Sequence, residues 1–130
     1  MQSVELIKEI YKRHSAGNVD GALALCHEDV SLLWVATSGI NPHSGVFRGR
    51  AAFKAQLDGL HEAFVYNSFR PVDFVAAGDR VASRAEIDMT HRASGRQFTV
   101  PVADFWTIRD GKVTELIEYY DTALIADVTK

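Results

Sequence analysis

The sequence predicts an α+β domain, with helices in the first half and antiparallel strands in the second. Apolar residues recur at helical spacing over residues 3–16 and 49–64. From residue 68 onward the pattern becomes strand-like. The turn signals "GD", "RASGR" and "RDGK" divide that second half into strands. Helices first and strands last place the helices against one face of a sheet. The 130 residues suit one domain, 1–130, with no internal repeat, linker or low-complexity tract.

The elements follow in order. Over residues 3–16, Val4, Ile7, Tyr11 and His14 form a stripe that Leu6 and Ile10 widen, Ser3 is placed to cap the start, and Gly17 stops the helix. A short second helix is expected from Ala22 to Cys26. "VSLLWVA", residues 30–36, is a continuous apolar run and reads as a strand covered on both faces. A loop, Thr37 to His43, leads to "SGVFRGRAAFKAQLDGLHEAF", a glycine-rich turn running into the third helix. There Phe53, Leu57, Leu60 and Phe64 share one face. Strands are expected over 68–77, 80–91 and 97–108, with a long final strand over "KVTELIEYYDTALI". In the second of these, Val81, Ser83, Ala85, Ile87 and Met89 alternate with Arg84, Glu86 and Asp88, which read as a solvated, charge-paired face.

Composition limits the function classes. Hydrophobic residues make up 47% and charged residues 24%, with a net charge of −3, and no basic stripe with interleaved aromatics suggests nucleic acid. The single cysteine, Cys26, leaves no internal disulfide and suits a reducing compartment; it reads as a buried, inert thiol. The start of the chain is a charged amphipathic segment rather than a signal peptide, and no apolar run approaches a membrane span. A cytoplasmic location without membrane association is expected. The five histidines show no metal spacing, and phosphate loop, dinucleotide fingerprint and nucleophile elbow are all missing. No metal and no cofactor are therefore expected.

A register can be set for the last hairpin. A type I turn over Ile108 to Gly111 with a following bulge pairs Ile108 with Lys112, so paired residue numbers sum to about 220. One face then carries Val100, Val102, Asp104, Trp106, Leu116, Glu118 and Tyr120, with Asp104 and Glu118 as diagonal neighbours. The other carries Ala103, Phe105, Ile117 and Tyr119. Both faces are apolar, so pattern alone leaves open which one meets the helices. An apolar outer face would suit a homodimer interface.

Three segments, "SAGNVDGALALCHEDVSLLW", "GVFRGRAAFKAQL" and "VADFWTIRDGKVTELIEYYD", resemble the SnoaL-like and ketosteroid-isomerase-like branch of the nuclear transport factor 2-like superfamily. The resemblance runs from about Val4 to Ile125. It implies a cone-shaped fold, with three N-terminal helices packed on a strongly curved mixed or antiparallel sheet. It also implies a pocket between helices and sheet, with the Asp104 and Glu118 face inside it and the glycine-rich turn at the rim. Of the ketosteroid-isomerase residues, the proton-donating aspartate falls on Asp104. Trp34 occupies the place of the general base, and the helix tyrosine falls near Glu9, two residues from Tyr11, which is expected to point elsewhere. The limonene-epoxide-hydrolase branch offers a second comparison: Glu118 matches its final-strand acid. Arg84 and Glu86 match the rest only after a one-residue slip, which would reverse their face.

Two carboxyls in an apolar setting near Trp34, Trp106 and Met89 cannot both ionise cheaply, so one should hold a proton near neutral pH. On this reading Asp104 is the acid or oxyanion donor and Glu118 the partner base. Tyr120 or Tyr11 is a positioning hydroxyl, giving Asp104, Glu118 and Tyr120 as candidate catalytic residues. Tyr11, His14, Trp34, His43, Phe53, Met89 and Trp106 are candidate ligand contacts. His43 and His61 are each placed on the solvated rim. The function expected is a cofactor-independent acid–base enzyme, an isomerase, cyclase, dehydratase or hydrolase acting on a small, largely apolar molecule. The alternative is a small-ligand-binding or dimerisation module without catalysis, in which each acid merely satisfies a neighbour and shapes the cavity.

Overall fold

Helix α1 (Ser3–Ser15) turns Leu6, Ile7, Ile10 and Tyr11 inward, as its apolar stripe requires. The computed structural model describes residues 1–36 and 45–130, so the Thr37 to His43 loop and the candidate ligand contact His43 lie outside the described residues. Ser3 does not cap α1. Gln2 takes the capping position without a side-chain bond, and the Ser3 hydroxyl donates to the Gly78 carbonyl at 3.3 Å instead. Gly17, at φ 80°, ends the helix in the left-handed conformation.

The next element starts earlier than the sequence suggested. Asn18 accepts a hydrogen bond from the Gly21 amide at 2.9 Å, which starts α2 (Val19–Leu23) at once. Cys26 therefore opens strand β1 (Cys26–Val35) rather than closing a helix. In β1 Cys26, Val30, Leu32 and Trp34 are buried while Ser31, Leu33 and Val35 are only half-buried, so the apolar run is covered fully on one face, not two.

The glycine-rich turn is itself a short edge strand, β2 (Gly45–Arg48), antiparallel to β1. Helix α3 (Arg50–Ala63) buries Phe53 and leads directly into β3 (Phe64–Ala77). Strands β4 (Arg80–His91) and β5 (Gln97–Arg109) match their expected spans closely. The final run divides. Strand β6 (Lys112–Tyr120) stops where the Asp121 carboxylate accepts from the Leu124 amide at 3.0 Å and starts α4 (Thr122–Val128). That cap turns Ile125 and Val128 onto the core, where an extended chain would have run past it.

The described residues thus form four helices, two of them short, and one mixed six-stranded sheet of order β2-β1-β6-β5-β4-β3. Strands β1 and β6 are parallel and the other pairs antiparallel. The fourth helix, after the strands, is the departure from the three helices expected. Burial settles which sheet face meets the helices: Val81, Ser83, Asp104, Trp106 and Leu116 are buried, whereas Phe105 and Tyr119 are 39% and 49% exposed.

The β5–β6 register differs from the expected one by two residues. Asp110 and Gly111, at φ 51° and 76°, form a two-residue turn with both central residues left-handed, so Arg109 pairs with Lys112. Thr114 is then an extra residue that shifts the ladder between Ile108 and Thr107. Beyond it Asp104 lies directly opposite Glu118, not diagonal to it. A shift of two keeps every side chain on its expected face.

Candidate active site

Asp104 is 2% exposed, in the middle of β5, and a chain of hydrogen bonds fixes its state. The Trp106 indole donates to Ser83 Oγ at 2.9 Å. Ser83 Oγ lies 2.6 Å from the Tyr11 hydroxyl, which donates in turn to Asp104 Oδ2 in a short bond. Tyr11 has one hydroxyl proton and gives it to Asp104, so across the 2.6 Å contact Ser83 donates to Tyr11, and it accepts from the indole, which can only donate. The chain has one direction, and it ends by stabilising a carboxylate. Tyr11 does not point elsewhere, as the sequence suggested; the helix brings it onto the strand acid. Burial first, and the Asp104 charge second, push its own ionisation far above the ordinary range.

Glu118 faces Asp104 across the β5–β6 ladder. Asp104 Oδ1 is buried without a hydrogen-bond partner among the described residues, and a protonated Glu118 can donate to it. Burial raises the pKa of both carboxyls. Hydrogen bonding with Glu118 first, and with Tyr11 second, pulls against that rise at Asp104, while the Asp104 charge pushes Glu118 higher still. Both shifts run upward, and the one at Glu118 runs further, so of the two carboxyls Glu118 is the one that holds a proton more readily.

The pair borders a cavity between helices and sheet. One chamber of about 70 Å³ is lined from α1 by Tyr11 and His14, from α3 by Phe53, and from the sheet by Trp34, Asp104, Trp106 and Glu118. A second chamber of about 50 Å³ shares Trp34 and Glu118 and adds Met89 and Tyr120. Both exceed the roughly 10–15 Å³ that one water occupies. The structure thus brings every described candidate to one of the two chambers. Among the described residues that line either chamber there is no Lys or Arg.

Sequence reasoning missed three polar contributors. Ser83 was visible as an inward position, but nothing marked it as the link between Trp106 and Tyr11. Tyr66 precedes the expected strand start, yet lies in β3 and lines both chambers. His61 is not merely a solvated rim group: its Nε2 lies 3.3 Å from His14 Nε2. Burial, then His61, pushes the His14 imidazole down to about 4, and burial lowers His61 as well. The slipped epoxide-hydrolase arrangement has no counterpart here. Arg84 and Glu86 sit on the outer face, paired with Asp73 at 3.0 Å and Arg70 at 2.7 Å. Among the described residues no three His, Cys, Asp or Glu side chains group as metal ligands would, and no helix is long and apolar enough to cross a membrane.

A family model of the SnoaL-like domain matches residues 7–116. Among solved structures, an NTF2-like protein from Burkholderia xenovorans LB400 is 29% identical at a TM-score of 0.83, over 98% of this chain and 95% of that one. TerC, co-crystallised with polyporic acid, is 26% identical at a TM-score of 0.84, over 97% of this chain and 96% of TerC. An NTF2-like protein from Burkholderia thailandensis E264 reaches a TM-score of 0.89 at 20% identity, over 100% of this chain and 99% of that one, a likeness of fold. No curated protein matches the sequence.

Proposed function

The chain belongs to the SnoaL-like domain family, and from that premise we propose that it is a cofactor-independent acid–base enzyme acting on a small, largely apolar organic molecule. The observation that carries this reading is the buried Asp104–Glu118 pair, opposite in register and supplied from one side by the Trp106–Ser83–Tyr11 chain. Glu118 is the proton donor and Asp104 the fixed charge beside it, the reverse of the roles that sequence alone suggested.

The chemistry is a proton shift. Glu118 gives its proton to a carbonyl oxygen of the bound molecule, and the two carboxylates that result face the positive charge taken up by the substrate, while the Tyr11 hydroxyl donates to Asp104. The Glu118 carboxylate then takes a proton from the carbon next to the carbonyl, whose C–H electron pair becomes the C=C bond as the C=O π pair moves onto oxygen; the pair is restored and the substrate is left as its enol. Tyr120, in the second chamber with Glu118, positions the substrate. The lack of Lys and Arg from both linings favours an uncharged substrate. The polyporic acid bound by TerC supports an organic ligand of modest size. A homodimer formed through the outer sheet face completes the reading, and the free thiol of Cys26 fits a cytoplasmic setting.

Carboxyl-carbon NMR across a pH series tests the assignment. We expect the Glu118 signal to titrate well above the Asp104 signal, and both above the ordinary value of about 4. Two independent transitions near that value would overturn it. The non-catalytic reading rests on Trp34, which fills the place of the family base and stands beside Glu118 in the parallel β1–β6 register. It predicts that a co-purified ligand leaves with its bonds unchanged by the protein.

A further inference from the structure

The helix side of the cavity carries polar groups that the acid pair does not use. His14 on α1 and His61 on α3 face each other through their Nε2 atoms at 3.3 Å, so one donates and the other accepts. The ring of Tyr66, on β3, lies 4.7 Å from that of His61 and meets the His14 ring edge-on at 5.6 Å. All three side chains are half-buried. The Tyr66 hydroxyl makes no hydrogen bond among the described residues, and neither does the remaining nitrogen of each imidazole. His14 and Tyr66 both line the larger chamber, and Tyr66 lines the smaller one too, beside Glu118. His61 lines neither chamber and acts through His14, so the donor and acceptor capacity of His14 and Tyr66 converges on a space otherwise walled by Trp34, Phe53, Phe69 and Trp106.

Polar atoms left idle against an apolar cavity cost free energy unless a water or a ligand satisfies them. Core-filling histidines would do better as Leu or Phe at the same places. We propose that His14 and Tyr66, with His61 holding the His14 ring through its Nε2, form a second polar subsite that takes an uncharged hydroxyl or carbonyl oxygen of the bound molecule, while Glu118 engages another oxygen elsewhere on it. This rests on the acid–base reading of the cavity and narrows its substrate class to neutral molecules with two separated oxygen functions. Both imidazoles are neutral at pH 7, held so mainly by burial. The subsite therefore offers hydrogen bonds without charge and discriminates against carboxylates and ammonium groups alike.

Calorimetric titration with two probes tests the subsite: β-naphthol, with one hydroxyl, and the dihydroxynaphthalene whose second hydroxyl lies at the far end of the other ring. One added net hydrogen bond should make the dihydroxy probe bind roughly threefold to tenfold tighter. Tyr66→Phe and His14→Phe should each reduce that gain and bring the dihydroxy probe toward the affinity of β-naphthol, and a circular dichroism spectrum like the parent's shows that the variants are folded. Equal affinities in the unmodified protein, or a gain that survives in the double variant, would overturn the subsite and leave the acid–base reading standing. Failure of β-naphthol itself to bind would overturn both.

Discussion

A carboxyl that accepts a hydrogen bond tends to keep its charge, and Asp104 accepts one from Tyr11. Tyr11→Phe removes the last donor of the chain and leaves the buried Asp104 short of a hydrogen bond. Urea unfolding should show a loss of about 1–3 kcal/mol, and a variant as stable as the parent would remove Tyr11 from the account. The pH dependence of stability separates two opposed groups. Glu118 has its pKa raised in the fold above 4.5, so above that pH the native state binds more protons than the unfolded chain and stability falls as pH rises. His14 is held down to about 4 from 6.5, so within that interval the unfolded chain binds more protons and stability falls as pH falls. Between pH 4.5 and 6.5 the two oppose each other. Glu118→Gln should therefore make stability climb more steeply with pH across that range, and His14→Phe should tilt the profile the other way. Urea midpoints at several pH values check both, and profiles parallel to the parent's would contradict the assigned shifts. The face shared by Asp104 and Glu118 was legible in the sequence because alternation along a strand fixes sidedness. The reach of Tyr11 to Asp104 was not, since helical periodicity says which way a residue points and nothing of what it meets 93 residues later.

Among the elements, the β5–β6 hairpin positions the site, and Thr114 is the residue on which its register turns. With Thr114 as a bulge, Val113 and Leu116 are both buried although an odd number of steps separates them. Deleting Thr114 while keeping the Asp110–Gly111 turn would leave Val113 opposite Ile108 and bring Glu115 next in line opposite Thr107, a ladder without a bulge. Leu116 and Glu118 would then keep the helix side by plain alternation. Cooperative urea unfolding is expected to survive the deletion; a variant that no longer folds would mean that the bulge itself, and not only the face it preserves, is required. At the next element Asp121→Ala removes the α4 cap and should cost about 1 kcal/mol by thermal or urea unfolding. An unchanged midpoint would mean that Ile125 and Val128 hold α4 by packing alone. These two places are also where sequence reading went astray. Alternation and turn residues located the strands, but "RDGK" suits more than one turn type. "YYDTAL" continues an apolar run while concealing an aspartate able to start a helix. Such choices are made by tertiary burial, which no local pattern encodes.

For the molecule as a whole, the sheet face turned away from the helices remains to be accounted for. Its register lines up Val46, Leu33, Ile117, Phe105, Ala82 and Val75 as one apolar row crossing all six strands. Beside that row the Phe105 and Tyr119 rings meet edge to face with centroids 5.9 Å apart. The Arg84–Asp73 and Arg70–Glu86 ion pairs lie on the same face at its β3–β4 side. An apolar stripe with a charged margin has the anatomy of a protein interface, and the homodimer proposed above would cover it by two-fold symmetry without a separate partner. Both rings are exposed in the single chain, so changing them should weaken association far more than folding. Phe105→Lys with Tyr119→Lys places like charges on both sides of the two-fold axis. Sedimentation equilibrium should then give the parent as a dimer and the variant as a monomer, with both retaining the same circular dichroism spectrum. A monomeric parent, or a variant that still dimerises, would show that this face serves something else. The outcome bears on the site as well, because Leu33, Val35, Ile117 and Tyr119 occupy the reverse side of the two strands that carry Trp34 and Glu118. A partner pressed against that side would stiffen the wall that holds the acid pair in place.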